Sequence, residues 1–237
     1  MSSGKERFIE IYKVKTSVLV FGMVRIILSE KNINKVLEKA VDALEKGYIV
    51  AYPTETFYGL GVKYDRENSL KRLCEIKQRQ KDKAMPLIIG SRKLLPLIAK
   101  SVNRKAELLM DRFWPGPLTL ILPAKETVSR YITADTGKVA VRIPGESFAL
   151  YLAKTFNFPI TATSANLSGM PPARDAEAVI RYFRDVIDLL VDGGLSPGIL
   201  PSTIVDVTEE KVKILRKGAI SRESLREFLK EGDPLNP

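Results

Sequence analysis

Apolar side chains recur along this chain in two rhythms. Over residues 32–46, Ile33, Val36, Leu37, Ala40, Val41 and Leu44 fall on one face of a helix. Asn32 is placed to open that helix and Gly47 to stop it. The same rhythm predicts helices over residues 68–78, 103–113, 146–156, 175–186 and 221–230. Between them lie short runs rich in β-formers, which predict strands over residues 48–52, 86–89, 118–122, 139–143, 159–163, 189–191, 203–207 and 212–215. Helices and strands mix throughout, without an internal repeat or a low-complexity linker. The expected fold is α/β, a single domain with a twisted mixed β-sheet and flanking helices.

Residues 1–22 do not share these rhythms. Lys5, Arg7, Lys13 and Lys15 precede a short apolar run that Arg25 interrupts, so it lacks the longer apolar core of a signal peptide. They read as an extension, from an upstream start, that adds an edge strand or stays mobile. The domain is then expected over residues 23–230, with a tail over 231–237.

Composition narrows the chemistry. The chain has 237 residues, 45% of them apolar, enough for a sizeable core. No apolar run approaches the ~20 residues of a membrane span, so no membrane is expected as a partner. Lys plus Arg number 38 against 28 Asp plus Glu, a formal charge of +10 that favours anionic partners such as nucleotide phosphates or RNA. There is no histidine, which excludes Ser-His-Asp triads, Cys-His dyads and HExxH zinc chemistry. The single cysteine, Cys74, excludes an internal disulfide and sits in a helical apolar pattern that reads as core. A reducing, cytoplasmic setting is the simplest inference.

The residues that remain for chemistry are cations, hydroxyls and carboxylates at strand ends. In YIVAYPTETFYGLG, Pro53 ends a buried strand; Thr54, Glu55 and Thr56 follow, then Phe57 and Tyr58 as an apolar wall with one polar tip. Ligands of open α/β sheets bind beyond strand ends, and this is such a rim. The alternative is a plain polar turn. The run KQRQKDK places Lys77, Arg79, Lys81 and Lys83 just past a helix, suited to a polyphosphate or else a solvated basic loop. No GxxxxGK[ST] loop or strand-linked GxGxxG is present. TATSANLSG ends an apolar strand in Ser164 and Asn166, which suit a phosphate or a base edge, or a simple turn. Arg142 in VAVRIP is a charge in an apolar strand and requires a partner: Glu55, Asp206 or a substrate carboxylate. Arg216 in ILRKG follows a strand within reach of a phosphate.

Together YPTETFYGLG, IKQR, WPGPLT, VAVRIP, TSANLSG, DGG, PSTIVDV and ILRKG, in this order, resemble the YrdC-like family, the threonylcarbamoyl-AMP synthases, in its single-domain type. The resemblance runs from about Met23 to the closing helix. It implies condensation of L-threonine, bicarbonate or CO2, and ATP to threonylcarbamoyl-adenylate and pyrophosphate. A tRNA threonylcarbamoyl transferase complex then uses the product on the adenosine beside the anticodon in tRNAs reading ANN codons. It further implies Lys77 and Arg79 as catalytic, and ATP binding by Lys77, Arg79, Lys83, Lys138, Ser164, Asn166 and Arg216. Threonine binding falls to Thr54, Thr56, Tyr58, Arg142 and Ser202. Mg2+ would arrive with ATP, without a protein metal site. The chain departs from many members at Gln80, where they carry proline, and at Lys83, where some carry asparagine. Some also carry histidine in the following strand. Two other readings compete: a double-stranded RNA or tRNA-binding module without catalysis, supported by the charge but by no RNA-binding motif, and a carbamoyltransferase of hydrogenase maturation, which would bring Cys-rich zinc motifs absent here.

Overall fold

Thr161 and Ala162 hydrogen-bond to two different sheets, and around that crossing the whole chain is arranged. The structure, a computed structural model, describes residues 17–20, 22–80 and 82–231. Among the described residues the strands form two six-stranded mixed sheets. The first runs β1 (Ser17–Val20), β2 (Met23–Ile27), β10 (Leu189–Asp192), β3 (Val50–Tyr52), β4 (Gly59–Gly61), β9 (Thr163–Ser164). The second runs β12 (Lys213–Arg216), β11 (Thr203–Asp206), β6 (Leu118–Pro123), β7 (Lys138–Arg142), β5 (Leu87–Ile88), β8 (Ile160–Thr161). The α/β class is as the sequence implies; the strands are divided between two sheets. The extended run expected over residues 159–163 is split at Ala162. Thr161 N donates to Val62 O at 3.0 Å beside β4, and Ala162 N donates to Pro86 O at 2.8 Å beside β5.

Both faces of the first sheet are covered, which explains its continuous apolar runs. Val50 and Tyr52 face one apolar cluster and Ile49 and Ala51 the other. One cluster lies under helices α1 (Ile33–Glu45) and α5 (Phe148–Phe156), through Val36, Leu37, Ala40 and Leu44 on the first and Phe148, Leu152 and Phe156 on the second. The other lies between the sheets and takes in α2 (Glu67–Ile76), α3 (Arg104–Phe113), the short α4 (Arg130–Thr133), α6 (Ala176–Phe183) and α7 (Arg222–Glu231). Asn32 precedes α1 as expected, but its side chain makes no capping bond. It accepts from Ser29 N at 2.8 Å and donates to Ile27 O at 2.9 Å, bracing the turn that leads in from β2. Gly47 ends the helix at φ +77°, a left-handed conformation that glycine adopts without strain.

Strand β4 has no counterpart among the strands expected from sequence. Its glycines are what let it pair: a Cβ on Gly61 would lie 2.6 Å from the Tyr52 ring and 2.8 Å from Ile160. Residues 17–20 of the N-terminal extension form an edge strand on β2. The rest of the extension (residues 1–16 and 21), the tail from residue 232 and Lys81 lie outside the described residues. No helix among the described residues is long and apolar enough to cross a membrane.

Candidate active site

Where the two sheets meet, the ends of several strands surround a cavity of about 140 Å³. Its wall includes Thr54, Thr56 and Tyr58 from the turn after β3, and Arg79 beyond α2. Arg142 enters from the end of β7, Ser164 from β9, Ser202 from the entry to β11 and Arg216 from the end of the edge strand β12. Eight of the expected site residues are thus brought together from segments far apart in the chain, with Phe57 beside them. None of the lining side chains is acidic.

Three guanidiniums give the cavity its charge. Arg79 follows the end of α2, where Lys77 is the C-cap and Gln78 takes φ +50°. This left-handed residue turns the chain out of the helix, so Arg79 is not on the helix surface. Its Nη2 donates to Ala84 O at 2.5 Å and its Nε to Lys83 O at 3.0 Å. Arg142 is 6% exposed and pairs through Nη1 with Glu55 Oε1, the first of the partners its sequence context called for. Among the described residues Glu55 Oε2 has no hydrogen-bond partner. Arg216 donates through Nη2 to Ser202 Oγ at 2.8 Å and through Nε to Ser202 O at 2.9 Å. Burial lowers its basicity first and the nearby Arg142 charge second, so the two cations share one field.

The hydroxyls are held by local bonds. Thr54 Oγ1 lies 3.0 Å from Thr56 Oγ1, donates to Phe57 O at 2.7 Å and accepts from Thr56 N at 3.0 Å, closing a tight turn after Pro53. The loop before β11 presses on this turn: a Cβ on Gly198 would lie 2.2 Å from Thr56 O. Tyr58 O–H donates to Gly194 O at 2.8 Å and accepts from Gly193 N at 3.0 Å. Burial raises its pKa, so the phenol keeps its proton and ties the Asp192-Gly-Gly loop to the cavity wall. Thr119, not singled out in sequence, also lines the cavity; it is 1% exposed, with Oγ1 at 2.9 Å from Ser202 Oγ. The signal was there: a lone hydroxyl in the apolar run LTLIL, as Arg142 is a lone charge in its strand.

The other expected site residues stand apart. Lys77 lines no part of this cavity and is 2% exposed, although sequence placed it beyond the apolar face of its helix. Its helix packs under residues 164–168, which cover it. Asn166 accepts from Ser164 Oγ at 2.5 Å through Oδ1. Lys83 is exposed and lines a second, larger cavity of about 410 Å³, which Arg79 also borders, with Lys71, Gln78, Gln80 and Arg130. Lys138 begins β7, the opposite end from Arg142, and is paired with Asp206 at 2.8 Å and Glu209 at 3.7 Å. Cys74 is half-buried against the core, as its helical position implied, with burial raising its pKa away from nucleophile range. Among the described residues no group of three or more His, Cys, Asp or Glu side chains could hold a metal ion.

Three guanidiniums and a set of fixed hydroxyls at the seam of two sheets, without an acidic side chain in the described wall, give this α/β protein a cavity whose chemistry suits a small anion. The model of the Sua5/YciO/YrdC family, described as telomere recombination, matches residues 42–218, and the chain belongs to that family. It is 41% identical over 192 residues to the threonylcarbamoyl-AMP synthase of Pyrococcus abyssi, covering 81% of this chain and 56% of that one. It is 35% identical over 183 residues to the threonylcarbamoyl-AMP synthase of Vibrio parahaemolyticus, covering 76% of this chain and 98% of that one. The crystal structure of P. abyssi Sua5 complexed with L-threonine superposes with a TM-score of 0.79 at 39% identity, over 87% of this chain and 60% of that one. The chain therefore spans little more than half the length of the archaeal relative and nearly all of the bacterial one.

Proposed function

We propose that this protein is a threonylcarbamoyl-AMP synthase, joining L-threonine, bicarbonate or CO2, and ATP into threonylcarbamoyl-adenylate and pyrophosphate. The observation that carries the reading is the convergence of Arg79, Arg142 and Arg216 on one small, acid-free cavity, in a chain 41% identical to a protein of that name. The Arg142 guanidinium takes the threonine carboxylate in a charge-assisted fork while Glu55 keeps it oriented. The hydroxyls of Thr56 and Ser202 face the amino acid beside it. The threonine amine, once deprotonated, is the nucleophile toward carbon dioxide, so the protein need supply none. An oxygen of the resulting carbamate attacks the α-phosphorus of ATP; the α–β phosphoanhydride bond breaks and pyrophosphate leaves with its electron pair.

Positive charge aimed at the phosphates is the main contribution required of the protein. Arg79 borders both cavities, and a phosphate chain passing it would extend from the reaction cavity toward Lys83. Arg216 faces the nucleotide from the other side. Magnesium enters as part of the ATP substrate, its charge neutralising the phosphates. The product is then a substrate for a tRNA threonylcarbamoyl transferase complex. The test is incubation of the protein with ATP, magnesium, bicarbonate and threonine, followed by mass spectrometry. The adenylate should appear only when threonine is present. ATP turnover indifferent to threonine, or no turnover, rejects the assignment.

A further inference from the structure

Three hydrogen bonds tie Lys77 to one loop. Its Nζ donates to Ser164 O at 2.5 Å and to Asn166 O at 2.6 Å, and its own carbonyl accepts from Ser168 N at 3.1 Å. The side chain borders neither cavity and is 2% exposed. Among the described residues it has no carboxylate partner, and the aromatic ring of Phe183 lies 6.0 Å from Nζ. Burying a cation without a counter-charge is costly, and a methionine would fill the same space without that cost. What methionine would lack is the pair of donors for the carbonyls at 164 and 166. Those carbonyls belong to the segment that carries Ser164, which lines the reaction cavity and donates through its hydroxyl to Asn166 Oδ1, while Asn166 Nδ2 donates to Met170 O.

Resting on the adenylate-forming reading above, we propose that Lys77 is a positioning residue that staples the loop after β9 so that Ser164 and Asn166 meet the nucleotide, and that it does not itself touch phosphate. The fold explains why the position asks for lysine. The end of α2 runs directly behind the loop, so a compact ammonium on a straight stem reaches two carbonyls two residues apart, while the backbone carbonyl of the same residue holds a third point. Burial, with the Arg79 charge second, pushes the Lys77 pKa down to about 7. The neutral amine retains two N–H donors for its two carbonyls, so the staple does not depend on the charge that a phosphate contact would need.

A double-mutant cycle on ATP affinity, measured by titration calorimetry with magnesium and ATP, separates the roles. Lys77→Met should weaken ATP binding by about tenfold in the wild-type background and by less than about twofold when Ser164→Ala and Asn166→Ala are already present, because its effect runs through those side chains. The same loss in both backgrounds would make Lys77 a direct phosphate ligand and overturn the proposal. Acetylation of the unmutated protein, read by mass spectrometry, covers the case of a variant that does not fold. Lys77 should stay unmodified with and without ATP; labelling in the free protein that ATP suppresses would overturn the proposal. A wild-type protein that binds no ATP rejects the adenylate reading itself, an outcome distinct from an additive cycle in a protein that binds ATP normally.

Discussion

Arg216 donates to both the hydroxyl and the carbonyl of Ser202, and the same hydroxyl lies 2.9 Å from Thr119. One serine thereby links β12, β11 and β6 at the edge of the cavity. Among the described residues no carboxylate pairs with this cation, so its charge is left for a ligand. Ser202→Ala should leave Thr119 and Arg216 each short of a partner and lower stability by about 1–3 kcal/mol. Thermal melting should show the loss; an unchanged Tm would mean that water replaces the serine at no cost.

Arg142→Ala should raise the KM for threonine, by an amount corresponding to roughly 1.5–3 kcal/mol for one lost charge-assisted partner. It should also lower the Tm, because the largely buried Glu55 carboxylate, one oxygen of which lacks a partner among the described residues, loses its counter-charge. Adding Glu55→Gln to Arg142→Ala should restore much of the Tm and none of the threonine affinity. A folded Arg142→Ala protein with wild-type threonine dependence would remove Arg142 from the substrate site.

Arg79→Ala should slow threonine-dependent pyrophosphate release by about a hundredfold or more, the effect of losing one donor aimed at developing charge. The guanidinium also holds Ala84 O and Lys83 O, so the loop bordering both cavities should loosen with it. Near-normal turnover in this variant would strike Arg79 from the catalytic residues.

Lys77 carries a stability signature with a definite sign. Its folded pKa of about 7 lies below the ordinary 10.5, so between those values the unfolded chain binds more protons than the native one. Stability from this group should therefore rise with pH through that window, at up to about 1.4 kcal/mol per pH unit, with its full burial cost present below it. Arg79 and Cys74 are the charged and titratable groups acting on it. The Tm of the wild-type protein relative to Lys77→Met should climb from about pH 7 to 9; a flat difference contradicts the burial. Lys77→Ala should also lower the Tm, because it strands the carbonyls of Ser164 and Asn166.

A chain beginning at Met23 should keep threonine-dependent turnover, since none of the described residues before it lines either cavity. Removing Ser17–Val20 exposes the backbone edge of β2, so a lower Tm is expected together with intact activity. Loss of turnover in a folded protein of this kind would show that the extension shapes the site.

Elements with a strong local pattern were legible along the chain. α1, β3, β6 and β7 lie within about two residues of their sequence-based bounds: α1 because burial of one face leaves a local period of 3.6, the three strands because burial on both faces leaves a short continuous apolar run. Arg142 was legible as a charge that needed a partner, since an apolar strand cannot leave one unpaired. Which residues meet was not written locally. The Arg142 partner lies 87 residues away, and the carbonyls that bury Lys77 lie 87 and 89 residues away. In KQRQKDK every neighbour suggests a solvated loop, and only the return of the chain through β8 and β9 covers the first lysine. β4 was hidden for a related reason: its glycines have poor strand propensity but permit the close approach of Tyr52 and Ile160. Period and composition report the environment of a residue averaged over its own element; hydrogen-bond partners, sheet membership and the burial of a single charge are set by segments that meet only when the chain folds.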